Sequence, residues 1–326
     1  MSLAFPYTPV PFNVTPASPP FHLSPVASSA SLGWAPSCAT PECIPNASWS
    51  TGAINSTLSF QFWGWDVALD GDVKGNMSIQ LFRDGVQELW KPSGDTLFSL
   101  KSGPIDQLYQ HNITLKVVDA STDAQLTVTQ ARVNGTAFAD IYVPADRWII
   151  SSSDDSLKYT GFTQQNSVVS VGSSTKHTSS KAGDTVSMQF NGSTLFVYGP
   201  CGPASGLMTV TIDDRQQTVN TSKPFASDDC LLFQAWGMPV VRLHELLIEN
   251  TDGRILSIDR LEFFRILAFG VGSGHTLRAI VIICAVVVAI ALAAVVITVY
   301  VRRAVKKKQG VDLPQAAHGW LMFLRS

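Results

Sequence analysis

From Ala279 to Val301 the chain reads AIVIICAVVVAIALAAVVITVYV, 23 residues without a charge, proline or glycine. As an α-helix rising about 1.5 Å per residue, this run is roughly 34 Å long, against about 30 Å of bilayer hydrocarbon. Each Ile, Val and Leu favours insertion by about 0.3 to 0.6 kcal/mol, so the segment is predicted to cross a membrane once. Arg302, Arg303, Lys306, Lys307 and Lys308 crowd its C-terminal side, against only His275 and Arg278 on the other. The excess of basic residues places the short tail in the cytoplasm and everything before the span outside it. The lipid bilayer is thus the first expected partner, and the basic cluster meets anionic headgroups. Ala285, Ala289 and Ala293 form a small-residue stripe through which two such helices can approach, so self-association is a further expectation. The apolar end Gly319-Trp-Leu-Met-Phe-Leu324 either lies on the inner leaflet or is an artefact of the gene's assigned end.

Asn13, Asn46, Asn55, Asn76, Asn112, Asn134, Asn191 and Asn220 stand in N-x-[ST] sequons, whereas Asn166 and Asn250 do not. All eight precede the apolar run, so glycosylation acceptors and flanking charge give the same topology. The N-terminus MSLAFPYTPVPFNVTPASPP lacks the basic stub, apolar core and cleavage site of a secretory signal. Either the anchor itself translocates the preceding domains or the gene starts upstream, and the upstream start is the expectation.

Before residue 266, Ser, Thr, Gly, Pro and Asn punctuate short apolar runs, an all-β texture. Leu58, Phe60 and Phe62 fall on one face of a pleat, with Ser59 and Gln61 on the other. Val186-Ser-Met-Gln-Phe190 repeats that pattern about 130 residues on, and Met77-Ser-Ile-Gln-Leu81 is matched by Met208-Thr-Val-Thr-Ile212. Leu97-Phe98 matches Leu232-Phe233, His111 matches His244, and Gly33-Trp34 matches Gly161-Phe162. Asp84-Gly85 and Asp213-Asp214 close hairpins. Later runs, Ile113 to Val117 with Leu126 to Val133, and Leu246 to Ile248 with Ile255 to Phe264, read as neighbouring antiparallel strands.

These patterns predict an all-β ectodomain of two tandem jelly-roll-like β-sandwiches followed by one transmembrane α-helix. The boundaries run as follows: a Pro-rich segment over 1–24, sandwiches over 25–143 and 144–265, a linker over 266–278, the span over 279–301 and the tail over 302–326. Cys38, Cys43, Cys201 and Cys230 precede the anchor, and an even number outside the cytoplasm indicates two disulfides with three connectivities. The closeness of the first pair favours Cys38–Cys43 with Cys201–Cys230. Cys284 lies in the apolar run as a small hydrophobe.

Asp154-Asp-Ser, Tyr159-Thr-Gly-Phe, Thr175-Lys-His, Ala182-Gly, Val186-Ser-Met-Gln-Phe-Asn-Gly, Val197-Tyr-Gly and Ile258-Asp-Arg-Leu resemble the ectodomains of basidiomycete single-pass membrane proteins. Those ectodomains are similar to galactose-binding-like jelly rolls, so the resemblance implies that fold and, by analogy, ligand binding. It covers residues 146 to 264 well and 25 to 140 weakly. Phe162 stands where Trp is commoner, and Cys201 lies in the loop after Tyr198-Gly199.

Little in the chain points to catalysis. A net charge of −2 leaves no basic stripe for nucleic acid. His244-Glu begins like a zincin helix but lacks the second histidine and reads as a strand. Gly270-Val-Gly-Ser-Gly274 has no strand–turn–helix context and serves as a linker. The adjacent pairs Asp154-Asp155, Asp213-Asp214 and Asp228-Asp229 read as turns, and neighbouring carboxylates point apart rather than across a glycosidic bond. Turn oxygens of Asp154, Asp155 or Asp259 are calcium candidates, while no cofactor or metal centre is otherwise expected. For sugar, a flat ring can stack on the apolar face of a pyranose. Trp63 and Trp65, with Asp66 and Asp70 nearby, form one candidate subsite; Tyr198 and Trp236 are the analogous candidates in the second copy. The expected function is a plasma-membrane glycoprotein whose ectodomain binds glycan or another extracellular ligand. Adhesion through a protein partner and a polysaccharide-acting ectoenzyme are the alternatives.

Overall fold

The computed structural model describes residues 11–36, 48–64, 66–101, 109–134, 145–166, 175–266, 291–301 and 303. Residues up to 268 form one compact unit and those from 269 another.

The first unit opens with β1 (Phe12–Val14), β2 (Phe21–Ser24), β3 (Ala35–Pro36), β4 (Trp49–Thr51), β5 (Thr57–Gly64) and β6 (Asp66–Lys74). It continues through β7 (Met77–Arg83), β8 (Val86–Glu88), β9 (Thr96–Leu100), β10 (Tyr109–Ala120) and β11 (Gln125–Asn134). One sheet runs β2-β5-β10-β7-β8; the other runs β3-β4-β11-β6-β9, with β1 also paired to β11. Leu58, Phe60, Phe62, Leu81, Ile113 and Leu115 of the first sheet bury against Val67, Leu69, Phe98, Leu126 and Val128 of the second. Alternation along β5 makes this possible, because its inward positions Leu58, Phe60 and Phe62 are all large and apolar.

The second sandwich has β12 (Ala145–Ser151), β13 (Lys158–Thr160), β14 (Thr163–Asn166), β15 (Thr175–Ser179), β16 (Thr185–Phe190) and β17 (Thr194–Cys201). Then follow β18 (Leu207–Ile212), β19 (Arg215–Asn220), β20 (Ser227–Trp236), β21 (His244–Asn250), β22 (Leu256–Ile258) and β23 (Arg260–Ile266). Its sheet β13-β16-β21-β18-β19 has the same order as β2-β5-β10-β7-β8. The paths β12-β23-β17-β20 and β14-β15-β22 together reproduce the other sheet, with β22 and β23 standing where β11 is continuous. Even there β11 carries a register shift between Val128 and Gln130, the place matched by Asp259 between β22 and β23. The internal repeat is therefore a repeat of topology.

Strand registers refine the alignment. Val186, opposite Ile248, takes the place of Leu58, opposite Leu115. Trp34 and Phe162 also correspond, since each precedes an edge strand paired in the same way. The match of Met77 with Met208 does not hold. Leu115 faces Leu81 and Ile248 faces Val210, so Met208 stands with Ile79, two residues along. A slip of two leaves every side chain on its own face, which is why the apolar pattern cannot detect it. The run 113–117 does not pair with 126–133, nor 246–248 with 255–264: each pair crosses from one sheet to the other and faces its neighbour across the core.

Residues 12–24 are part of the first sandwich rather than a separate segment, because β1 and β2 are edge strands of its two sheets. They also join the sandwiches. Phe12 packs on Phe196, 4.7 Å between ring centroids, and 6.0 Å from Trp236. Leu231 donates its amide to Ser18 Oγ at 3.0 Å, Lys223 Nζ donates to the Phe21 carbonyl at 2.7 Å, and Trp49 meets Phe225 edge-on. A disulfide links Cys201 to Cys230 and ties β17 to β20; Cys38 and Cys43 lie outside the described residues.

In the second unit, residues 291–301 are α-helical, and Thr298 returns its hydroxyl to the Ala294 carbonyl. Among the described residues no helix is long and apolar enough to cross a membrane. Residues 279–290 of the expected span, the linker glycines, two of the three stripe alanines and nearly all of the tail lie outside the described residues.

Candidate functional site

The two hairpin turns carry the same brace. Asp84 and Asp213 both adopt φ of 52°, the left-handed conformation that aspartate tolerates better than most residues. From there each carboxylate reaches a fully buried histidine: Asp84 Oδ2 lies 2.7 Å from His111 Nδ1, and Asp213 Oδ2 lies 2.8 Å from His244 Nδ1. The second carboxylate oxygen accepts a backbone amide, from Asn112 and Glu245 respectively. Each histidine ring lies 5.5 Å from the phenylalanine opposite it, Phe62 or Phe190. The histidines matched by sequence are structural pins, and β21 is a strand with no zincin helix about it.

In the second copy that brace forms one end of a cleft. The cleft encloses about 420 Å³ and brings Trp63 of the first sandwich together with Trp236 of the second. Trp63 projects from the outward face of β5, opposite Phe62, and is half-buried. Trp236 ends β20 and is buried against Phe196 and Phe12, with only a margin of its ring at the cleft wall; its indole Nε1 points to Gln234 Oε1 at 3.4 Å. Gln216 and Gln217 project from the edge strand β19, beside Arg215 and Asp214. Asp213 also belongs to the lining, and Arg242 binds its Oδ2 at 2.8 Å. The His244 hydrogen bond and then the Glu245 amide hold the Asp213 carboxyl below the ordinary range, so it stays an anion there. Chemically, the cleft offers the half-buried indole of Trp63 flanked by amides and guanidinium groups.

The sequence candidates fall unevenly around it. Trp63 and Trp236 meet in one cleft, not in two analogous subsites: the position equivalent to Trp63 in the second copy is Asn191. Trp65 lies outside the described residues. Asp66 is half-buried at the start of β6, opposite Asn134, and does not line the cleft. Tyr198 is buried beneath the Arg260 guanidinium, 3.9 Å from its ring centroid, so it is a packing residue rather than an open platform. Burial, and then the Glu262 charge, push its phenol upward.

Asp154 caps its own turn by accepting the Ser156 amide. Asp259 faces Lys176 Nζ at 3.6 Å, with burial raising its carboxyl. Among the described residues no cluster of three or more His, Cys, Asp or Glu side chains is placed to hold a metal. Asp228 and Asp229 are not in a turn: they begin β20, where Asp229 pairs with Arg260 at 2.7 Å. Of the sequon asparagines, Asn13, Asn55, Asn76 and Asn220 are exposed, and Asn112 and Asn191 are half-buried. Asn46 and the Asn134 side chain lie outside the described residues. Gln216, Gln217 and Gln234 were not singled out from sequence, because polar residues on an edge strand look like any solvated face.

No family model and no curated protein matches the chain. Solved structures similar to part of it include a Paenibacillus xanthan lyase, at 12% identity and a TM-score of 0.29 over 68% of this chain and 24% of that one. Another is the N-terminal CBM22-1-CBM22-2 tandem domain of Paenibacillus barcinonensis Xyn10C, at 14% identity and a TM-score of 0.23 over 67% and 86%. A third is the cycloalternan-forming enzyme of Listeria monocytogenes in complex with a pentasaccharide, at 9% identity and a TM-score of 0.29 over 68% and 20%. The chain thus spans about a quarter of the lyase and a fifth of the Listeria enzyme. Superpositions at this level establish neither fold nor ligand.

Proposed function

We propose that this chain is a membrane-anchored surface glycoprotein whose tandem jelly-roll-like ectodomain binds glycan in the cleft between its sandwiches. The half-buried indole of Trp63, standing in a cleft closed from the other sandwich by the buried Trp236, carries the reading. An indole face takes the apolar side of a sugar ring, and Gln216, Gln217 and Arg215 reach the hydroxyls around its edge. Asp213 has both oxygens engaged, by His244 and Arg242 on one and the Glu245 amide on the other. With both oxygens so held, it is poorly placed to act as the acid or the nucleophile of glycoside hydrolysis, which favours binding. The anchor rests on the 279–301 run and its basic flank, and the kinship with basidiomycete surface proteins belongs to the same proposal.

A protein ligand is the second reading, favoured by Val241 and Leu243, which are 89% and 60% exposed on the loop that supplies Arg242. A glycan array probed with secreted residues 1–268, beside Trp63→Ala and Gln217→Ala, separates the two. Specific sugar binding that both substitutions weaken supports the glycan site. Sugar binding untouched by either places the ligand elsewhere. An array without signal, together with a protein captured through Val241 and Leu243, replaces the proposal with the second reading.

A further inference from the structure

A second groove, which shares no lining residue with the cleft, is formed by the turn between β6 and β7 together with the segment after β8. It encloses about 760 Å³ and is lined by Val73, Asn76, Met77, Trp90, Pro92 and Ala120, among others. Trp90 is half-buried, one side packed on the first sandwich core and the other in the groove. Asn76 is exposed at the rim and heads the sequon Asn76-Met-Ser78. Its backbone is clamped on both sides by Ser121: the Asn76 amide meets Ser121 Oγ at 3.3 Å, and the Asn76 carbonyl accepts the Ser121 amide at 2.9 Å. An acceptor on a fixed turn, beside an indole with an uncovered side, has a tethered ligand at hand.

We infer that Asn76 carries an N-linked glycan whose first N-acetylglucosamine units lie in this groove and cover Trp90. The N-acetyl methyl and the apolar ring face meet the indole, while Asp119 and Ser121 at the groove wall take hydroxyl hydrogen bonds. The glycan is then part of the fold, because it covers surface that the chain itself leaves open. The inference rests on the ectodomain lying in a glycosylating compartment and not on the ligand of the inter-sandwich cleft.

The test uses the full-length chain made in yeast cells, with glycopeptide mass spectrometry at each sequon and hydrogen exchange of residues 73–78 and 88–92. Asn76 is expected to be occupied. Asn76→Gln and Ser78→Ala, two independent ways of losing the sugar, should each speed exchange in these segments roughly fivefold. Trp90→Ala should keep the glycan and show the same acceleration, whereas Asn55→Gln should leave both segments unchanged. Asn76 empty while other sequons are filled overturns the inference alone. An occupied Asn76 whose loss leaves exchange unaltered overturns it too, and a chain without any glycan overturns it together with the topology.

Discussion

Replacing Lys223 by methionine tests how the junction between the sandwiches tolerates an amine. Lys223 Nζ donates to the Phe21 carbonyl at 2.7 Å, and burial pushes its pKa from 10.5 down to about 8. At about 1.4 kcal/mol per unit, that fall penalises the charged folded state by roughly 3 kcal/mol near neutral pH. The unfolded chain keeps the proton up to pH 10.5, whereas the folded chain keeps it only to about 8. Between these values the unfolded state binds more protons, so stability rises with pH. About 2.5 kcal/mol of the penalty is relieved between pH 7 and pH 10.

The methionine variant never carries the charge but loses a hydrogen bond of about 1 kcal/mol. It should therefore be the more stable protein at pH 7 by about 2 kcal/mol, or roughly 4 to 8 °C in Tm, and about equal to wild type at pH 10. Urea melts of residues 1–268 at pH 7, 8.5 and 10, followed by tryptophan fluorescence, measure the gap. Tyr159 and Tyr198, whose phenols burial pushes upward, titrate alike in both proteins and subtract out. A gap that stays constant with pH, or a methionine variant that is less stable at pH 7, refutes the reasoning.

Phe12→Ala removes the ring wedged against Phe196 and Trp236 and should cost about 3 to 5 kcal/mol. The sandwiches should then melt in two transitions instead of one by calorimetry, and the cleft should lose its ligand even though no cleft residue has changed. Asp84→Asn and Asp213→Asn keep the left-handed turn but weaken the charge-assisted bond to the buried histidine, lowering stability by about 1.5 to 3 kcal/mol each. The stability from Asp213 is present in full above the ordinary carboxylate value of 3.8 and is lost as pH falls through its lower folded value. The Tm gap between wild type and Asp213→Asn should therefore narrow between pH 7 and pH 2.

The parts of the fold that were legible are those in which a local rule and a distant partner agree. Leu58, Phe60 and Phe62 alternate because their strand buries one face, and the pattern returns at Val186, Met188 and Phe190 for the same reason. His111 and His244 could be matched because each heads an alternating apolar strand, although they lie 27 and 31 residues beyond their aspartates. Cys201 and Cys230 pair within one sheet as expected. What stayed hidden depends on pairing between segments. A prolyl run such as residues 11–24 gives no strand signal, yet β1 and β2 form because exposed sheet edges accept them. Asp228-Asp229 looks like a turn by composition, but Arg260 and Lys176 neutralise it inside a strand.

The repeat that revealed the fold hid how the site is assembled. Equivalent positions of the two copies carry Ala68 and Asp70 in the first, Phe196 and Tyr198 in the second. In the first copy that sheet face is polar: Asp70 is gripped by Arg132 at 2.8 Å, and although burial works against the charge, bonds from Arg132 and Gln130 hold the carboxyl low. In the second, the same face is aromatic and packs against Phe12 of its neighbour. The cleft tryptophans diverge in the same way. Trp63 stands where the second copy has Asn191, and Trp236 sits at the strand end that the first copy fills with Lys101. Residues matched between the copies are those both need in order to fold, such as the histidines; aromatic chemistry points to Trp63 and Trp236, but the repeat assigns them to separate subsites. Neither sandwich holds both indoles, and the docking of one copy on the other is what makes the cleft.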